Sequence, residues 1–283
     1  MAMDEKGLGQ RLQAARLRAG MTQQMLCQKA DLSYSTLTKI ERGAIKSPSI
    51  FTIQSIAETL GVGLDELLGG KTPAHKQKKR SQSGVEFVYF DINGCLVRFF
   101  HRAFTELSMR TGEPADVVET AFWHYNDQVC RGDMTLEAFN KLLAKQLGLD
   151  AVNWIDYYID AIEPIPVMDE IVRWAAKNYR IGLLTNIMPG FIDVMRQKGL
   201  LPDVQYDVII DSSKVNAIKP ESKIFEIATK QADCAPESIL LIDDSRANLM
   251  AAEKQGWHVL WFDDYRPDES ADRIREALII AQD

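Results

Sequence analysis

Val85-Glu86-Phe87-Val88-Tyr89-Phe90, followed at once by Asp91-Ile92-Asn93-Gly94-Cys95-Leu96, decides the fold of this 283-residue chain. A near-continuous apolar run is what a strand buried on both faces requires, and it stops here at an acid and an Asn-Gly turn signal. Outward from it the pattern recurs. Ile181-Gly182-Leu183-Leu184 ends at Thr185, and Ile239-Leu240-Leu241-Ile242 ends at Asp243-Asp244. Val208-Ile209-Ile210 and Val259-Leu260-Trp261-Phe262 bring the expected strands to about five, with helical patterns between them. Apolar strands alternating with amphipathic helices predict an α/β domain built on a Rossmann-type parallel sheet.

Open parallel sheets bind ligands at the carboxyl ends of their strands, so three strands deliver Asp91, Thr185 and the Asp243-Asp244 pair to one crevice. Lys219-Pro220 lies in a loop that reaches the same place. Three carboxylates brought together repel one another unless a cation sits among them, and oxygen-only ligands favour Mg²⁺. Such an ion keeps waters and contacts a substrate phosphate, while a lysine and a hydroxyl hold the remaining phosphoryl oxygens. The chemistry expected is phosphoryl transfer with a carboxylate nucleophile.

The rest of the chain has a different character. Of its residues 46% are hydrophobic, enough for buried cores, and the length suggests about two domains. The net charge of -7 is unevenly spread: +1 over residues 1–69, +5 over residues 70–84 and -13 over residues 85–283. An acidic body needs a local basic surface or a metal to meet nucleic acid or phosphate. Residues 70–84, polar throughout and carrying Lys76, Lys78, Lys79 and Arg80, read as a basic flexible linker. Cys27, Cys95, Cys130 and Cys234 are scattered, which suggests neither a disulfide framework nor structural zinc. His75, His101, His124 and His258 show no metal or triad spacing. With no apolar run near the ~20 residues of a membrane span and no leader-like start, the expectation is a soluble, unprocessed cytoplasmic chain.

Residues 1–69 carry short helical patterns. Thr22 is placed to cap a helix through Ala30, and Ser33 to cap another that runs to Arg42 and stops at Gly43. At 100° per residue, Tyr34, Ser35, Thr38 and Lys39 share one polar arc, while Leu37 and Ile40 turn toward Leu26 and Leu32. Ser47-Pro48 is expected to open a further helix with Ile50, Ile53, Ile56 and Leu60 at core spacing, followed by a helical turn at Leu64–Leu68.

The run from Thr22-Gln23-Gln24 through Ser33-Tyr34-Ser35-Thr36-Leu37-Thr38-Lys39-Ile40-Glu41-Arg42-Gly43 closely resembles the all-α helix-turn-helix domain of Cro and phage-repressor (Xre) type regulators, over residues 6–68. The resemblance implies that the helix from Ser33 enters the major groove of double-stranded DNA. Tyr34, Ser35, Thr38 and Lys39 then face base edges, Gln23 meets phosphate, and Arg42 supports or touches the backbone. Lys46 and the Lys76–Arg80 cluster could add phosphate contacts. This family binds as a two-fold homodimer on half-sites about one helical turn (~34 Å) apart.

Asp91-Ile92-Asn93-Gly94, Leu184-Thr185-Asn186, Lys219-Pro220-Glu221-Ser222-Lys223 and Ile242-Asp243-Asp244-Ser245-Arg246 in turn resemble the four motifs of the haloacid dehalogenase superfamily, over residues 85–265. That resemblance makes Asp91 the nucleophile and Thr185 and Lys219 phosphate holders. Asp243 and Asp244 become Mg²⁺ ligands beside Asp91 and the backbone carbonyl of Asn93, and Asn186 a substrate-orienting residue. The departure is Asn93, which stands where the superfamily's phosphatases carry an aspartate that protonates the leaving group and later activates water. Helical patterns at His101–Thr111, Ala115–Trp123, Thr135–Leu147 and Asn153–Ile162 separate the first two motifs and look like a helical cap over about residues 100–165. Arg98, Arg102, Trp123 and Tyr125 are its candidate specificity residues.

These readings combine into a helix-turn-helix domain (1–69), a linker (70–84) and a hydrolase-like α/β domain (85–283). The function expected is a sequence-specific, homodimeric transcriptional regulator whose second domain binds a phosphorylated small molecule with Mg²⁺, with or without turnover, away from any membrane. Two rivals stand beside it: an active small-molecule phosphatase whose first domain serves autoregulation, and an antitoxin-like or scaffold protein.

Overall fold

The computed structural model describes residues 5–45, 48–60, 62, 67 and 78–281, and the chain divides into two units, Met1–Gln77 and Lys78–Asp283. Lys46, Ser47, the turn at 64–68 apart from Leu67, and residues 70–77 of the linker with His75 and Lys76 lie outside the described residues.

The first unit holds α1 (Glu5–Arg18), α2 (Gln23–Lys29), α3 (Tyr34–Glu41) and α4 (Ile50–Leu60). The two expected caps are present: Thr22 Oγ1 accepts from the Met25 amide and Ser33 Oγ from the Thr36 amide, both at 3.1 Å. Each satisfies a donor that the first helical turn leaves unpaired. Leu8, Leu12, Leu26, Leu37, Ile40, Ile53 and Ile56 form the core. A Cβ on Gly9 would fall 2.5 Å from the Ile40 carbonyl oxygen, so α1 can cross α3 this closely only without a side chain there. Two details of α4 differ from the sequence reading. Its cap is Ser49, whose Oγ accepts from the Thr52 amide, and Ile50, the first residue of the helix, is half exposed while Ile53, Ile56 and Leu60 enter the core.

The second unit is a five-stranded parallel sheet in the order β3-β2-β1-β4-β5. Its strands are β1 (Phe87–Phe90), β2 (Arg180–Thr185), β3 (Val208–Asp211), β4 (Ile239–Asp243) and β5 (His258–Trp261). Side chains alternate across the central strand. Val88 and Phe90 join the core on one face, while Phe87 and Tyr89 join that on the other. Strand order reverses between β1 and β4, the place where such sheets open a crevice.

Four helices separate β1 from the next core elements: α5 (His101–Thr111), α6 (Ala115–Arg131), α7 (Leu136–Gln146) and α8 (Trp154–Ala161). They pack around an aromatic cluster of Phe100, Phe104, Phe122, Phe139 and Trp154. α6 continues past Trp123, where the sequence pattern suggested an end, because Val129 and Cys130 return to the core before Gly132 closes the helix at φ 81°. The Cys130 carbonyl accepts from Ser212 Oγ at 2.6 Å, which fastens the end of α6 to the sheet domain. α9 (Pro166–Asn178), α10 (Phe191–Gln197), α11 (Ser212–Val215), α12 (Ser222–Ala232), α13 (Arg246–Lys254) and α14 (Pro267–Ala277) complete the unit.

The flexible linker expected over 70–84 does not extend through residues 78–84. Lys78 Nζ donates to the Ala176 and Tyr179 carbonyls, and the Lys79 and Gln82 amides donate to the Asn178 and Ile279 carbonyls. Ser81 is buried and pairs with Ile280. A polar composition reads as linker, but these backbone and side-chain donors find carbonyls at helix ends and pack down.

Candidate functional site

β1 and β4 are hydrogen-bonded neighbours, and the Asp91 amide donates to the Ile242 carbonyl at 3.0 Å, so Asp91 and Asp243 leave the sheet side by side. Asp91, Asp243 and Asp244 each offer a carboxylate oxygen within 4.8 Å of the others. Gly94 makes room for the third: a Cβ there would sit 2.3 Å from Asp244 Oδ2, and its φ of +78° strains any other residue.

Lys219 completes the cluster. Its ammonium lies 2.9 Å from Asp91 Oδ1 and 2.5 Å from Asp243 Oδ2, almost wholly excluded from solvent. Asp243 also accepts from the Ser245 amide at 2.8 Å and from Asn248 Nδ2 at 3.0 Å, which fixes its orientation. Burial and the neighbouring Asp243 carboxylate push the Asp91 carboxyl up to about 6 against the pull of Lys219. Burial, with Asp91 and Asp243, pushes Asp244 up to about 7. For Lys219 the two carboxylates outweigh burial and raise its pKa. Two acids that resist ionisation beside one that is fully engaged make a site with spare capacity for a cation.

Two buried oxygens support that conclusion. Among the described residues, neither Asp91 Oδ1, which meets the Lys219 ammonium as an ion pair at 2.9 Å, nor the Thr185 hydroxyl at the end of β2 has a hydrogen-bond partner. A buried hydroxyl without a partner is costly unless a ligand satisfies it. All-oxygen donors from three clustered carboxylates fit Mg²⁺, while the threonine hydroxyl and the ammonium fit phosphoryl oxygens.

Of the remaining residues singled out, Asn186 clasps the Lys219 peptide from both sides, donating to its carbonyl at 2.8 Å and accepting from its amide at 2.7 Å. It therefore sets the lysine's position as well as lining the cleft. Asn93 lies beside Asp91 and accepts at Oδ1 a 2.7 Å hydrogen bond from the Tyr158 hydroxyl of α8. Burial raises the Tyr158 phenol above its ordinary pKa. Above the acids a cleft of about 240 Å³ opens, walled by Phe99, Trp123, Asn126 and Asp127. Among the four specificity candidates only Trp123 lines it. Arg98 donates to the Asp264 carbonyl, Arg102 pairs with Glu163, and Tyr125 packs against the core. Phe99, Asn126, Asp127 and Tyr158 escaped the sequence reading, since only the folding of four helices over the sheet brings them here.

In the helix-turn-helix unit, Tyr34, Ser35, Lys39 and Arg42 are exposed along α3 and its C-terminal end. Ser35 Oγ lies 3.0 Å from the Ser33 hydroxyl. Thr38 departs from this exposed row: it is half-buried, and its hydroxyl is enclosed without a partner among the described residues. Gln23 donates to Glu41 Oε2 at 2.6 Å, and the same carboxylate forms a buried pair with Arg16 at 2.7 Å. Arg16 also donates to the Met21 carbonyl, so one guanidinium ties α1, the α1–α2 turn and α3 together.

Comparisons agree with both halves. A family model described as haloacid dehalogenase-like hydrolase matches residues 85–256, and one described as helix-turn-helix matches residues 12–67. The chain is 22% identical over 139 residues to pyrophosphatase PpaX of Bacillus anthracis, covering 45% of this chain and 64% of that protein. It is 24% identical over 207 residues to acyl-CoA dehydrogenase family member 10 of Mus musculus, covering 68% of this chain and only 19% of the mouse protein. The immunity repressor protein of Bacillus phage phi105 is 34% identical over 79 residues, 28% of this chain and 54% of the repressor. The chain thus spans less than two thirds of each of these relatives. Among solved structures, a haloacid dehalogenase family enzyme of Bacteroides thetaiotaomicron, an aspartate-to-alanine mutant in complex with magnesium and inorganic phosphate, superposes with a TM-score of 0.56 at 16% identity, covering 63% of this chain and 94% of that one. The L-2-haloacid dehalogenase of Xanthobacter autotrophicus with chloropropionic acid covalently bound gives 0.51 at 17% identity, covering 70% and 85%.

Proposed function

The chain belongs to the haloacid dehalogenase-like hydrolases, and we propose that it is a sequence-specific DNA-binding regulator whose hydrolase domain holds a phosphorylated small molecule beside Mg²⁺. The observation that carries this reading is a buried lysine bridging two carboxylates, with a third carboxylate and an unpartnered threonine hydroxyl at the same strand ends. In this reading Asp91, Asp243, Asp244 and the Asn93 carbonyl hold the ion, and Thr185 and Lys219 hold phosphoryl oxygens. Asp91 is the nucleophile placed to attack phosphorus. Bound Mg²⁺ supplies charge neutralisation on the phosphoryl group. Asn93 offers no proton to a leaving group, which weights the domain toward binding and slow turnover.

On the DNA side, Tyr34, Ser35 and Lys39 meet base edges, and Gln23 and Arg42 meet the backbone. A homodimer places two copies of α3 on successive turns of one face of the duplex. Ligand occupancy acts on operator binding by favouring one arrangement of the dimer. Residues 1–69 form the DNA-binding domain in this scheme, and the hydrolase-like domain extends to residue 283.

Thermal unfolding of the full chain with Mg²⁺ and inorganic phosphate tests the site. The pair should raise the midpoint by more than the sum of either alone, because each ligand completes the other's coordination. Additive or absent shifts would discard the reading. The pH dependence has a defined sign. With Asp91 and Asp244 raised to about 6 and about 7, protons compete with the ion near neutrality. Mg²⁺ affinity should therefore weaken steadily as the solution is taken from about pH 8 to about pH 5, and binding should release protons in that window. A pH-independent affinity would show that these carboxyls are not the ligands.

For the first domain, Lys39→Ala should cost about 1–3 kcal/mol of discrimination between a selected operator and random DNA. Competition binding at fixed salt reads this directly. Equal affinity of the unsubstituted chain for every DNA tested would remove the specific-regulator reading.

A further inference from the structure

The cleft above Asp91 has two unlike walls. One carries the carboxylates and Lys219, and the other is built by the helical insert and its approach: Phe99, Trp123, Asn126 and Asp127. Trp123 is 43% exposed, and its ring lies nearly parallel to that of Phe99 with centroids 6.3 Å apart. Its indole N–H donates to Glu119 at 3.0 Å, which orients the ring and leaves its polar edge occupied. What this wall offers a ligand is aromatic surface, an amide and a carboxylate.

It offers no positive charge. Lys219 is the one cationic side chain lining the cleft among the described residues, and Asp91 and Asp243 already engage it. The insert's nearby arginines are committed elsewhere: Arg102 to Glu163, Arg131 to Glu221, and Arg98 to the Asp264 carbonyl. A second phosphate or a carboxylate on the ligand would meet the exposed Asp127 carboxylate with no cation on that wall to offset the like-charge repulsion. A planar ring on the ligand, laid against the Phe99–Trp123 pair, would gain from offset stacking in addition to area burial. A positive charge on the ring would gain further from the indole face and Asp127.

Resting on the phosphate-site reading above, we infer that the ligand is a phosphate monoester that carries a flat aromatic or heteroaromatic ring and no second anionic group. Trp123 and Phe99 select the ring, and Asp127 excludes polyanions. Pyrophosphate and sugar bisphosphates lie outside this class.

Calorimetric titration of the full chain in Mg²⁺ tests it with four probes: inorganic phosphate, 4-methylumbelliferyl phosphate, thiamine monophosphate and pyrophosphate. The two flat monoesters should bind on the order of tenfold more tightly than inorganic phosphate, and pyrophosphate no more tightly. Trp123→Ala should remove that gain for both flat esters while leaving inorganic phosphate unchanged, and Trp123→Phe should restore most of it. Asp127→Asn should weaken thiamine monophosphate alone and improve pyrophosphate. Pyrophosphate binding as tightly as the flat esters, or Trp123→Ala weakening inorganic phosphate equally, would overturn the assignment while leaving the phosphate site standing. If inorganic phosphate itself does not bind, the inference and the site reading both fall.

Discussion

Asn93→Asp is expected to raise turnover of phosphate monoesters by about 10²–10⁴-fold, the range over which a positioned acid/base acts. In the proposed chemistry an Asp91 oxygen bonds to phosphorus as the bond to the leaving oxygen breaks. That oxygen then needs a proton, and the water that later releases the phosphoryl group must lose one. An amide can neither give nor accept that proton. Tyr158 does not substitute for it, because burial makes its phenol a weaker acid and its proton is directed at Asn93 Oδ1. The same hydrogen bond would hold a carboxylate oxygen in place of the amide oxygen, so the variant keeps the side chain's position. The new carboxyl would sit among three others, and their repulsion raises its pKa toward neutrality, where it serves best as an acid. Steady-state rates on an alkyl and an aryl ester check the mechanism: the gain should be larger for the alkyl ester, whose leaving oxygen is the more basic. Equal rates before and after substitution would mean that the missing acid is not what limits this site.

Most of the scaffold behind that prediction can be read from the chain itself. Four of the strands lie where continuous apolar runs end in Asp91, Thr185, Asp211 and Asp243, since a parallel strand buried on both faces tolerates little else, and the partly buried edge strand β5 precedes Phe262. Helix starts are legible at Thr22 and Ser33 because a capping hydroxyl is a local feature, and both accept the expected amide. The acids converge because topology alone brings the ends of β1, β2 and β4 together. What the chain does not reveal is tertiary. Asn126 and Asp127 read as polar surface and become a wall of the cleft only once α6 lies over the sheet. Tyr158 reads as one more aromatic of a helical pattern until α8 carries its hydroxyl to Asn93. Residues 78–84 read as linker because nothing in their composition announces the carbonyls at helix ends to which they bond. Thr38 shares a polar arc with Tyr34 and Lys39 by angle, yet packing half-buries it, since the limits of an exposed face depend on the neighbouring helices.

Lys219→Met should destabilise the metal-free protein by about 3–5 kcal/mol, the usual cost of removing one member of a buried ion pair. The substitution keeps an unbranched side chain of similar length, so packing changes little. What it removes is the ammonium 2.9 Å from Asp91 and 2.5 Å from Asp243, in a place where water cannot replace it. The folded chain then has two ways to lower its energy, and each leaves a signature. Protonation is the first. Asp91 and Asp244 already have pKa values raised by burial and mutual repulsion, and loss of the lysine raises them further. A group whose pKa is raised by folding contributes stability below its unfolded value and loses it as pH climbs through the folded value. The variant's deficit should therefore be smallest near about pH 5 and grow through neutrality to about pH 8. A divalent cation is the second way, because positive charge among the carboxylates replaces what the ammonium supplied. Mg²⁺ should raise the unfolding midpoint of Lys219→Met by more than it raises that of the unsubstituted chain, with the difference widening as pH rises. Denaturant unfolding at two pH values, with Mg²⁺ or a chelator, measures all of this in one series. A deficit unchanged by pH and by Mg²⁺ would mean that the lysine fills space and that the three carboxylates do not share a common charge balance.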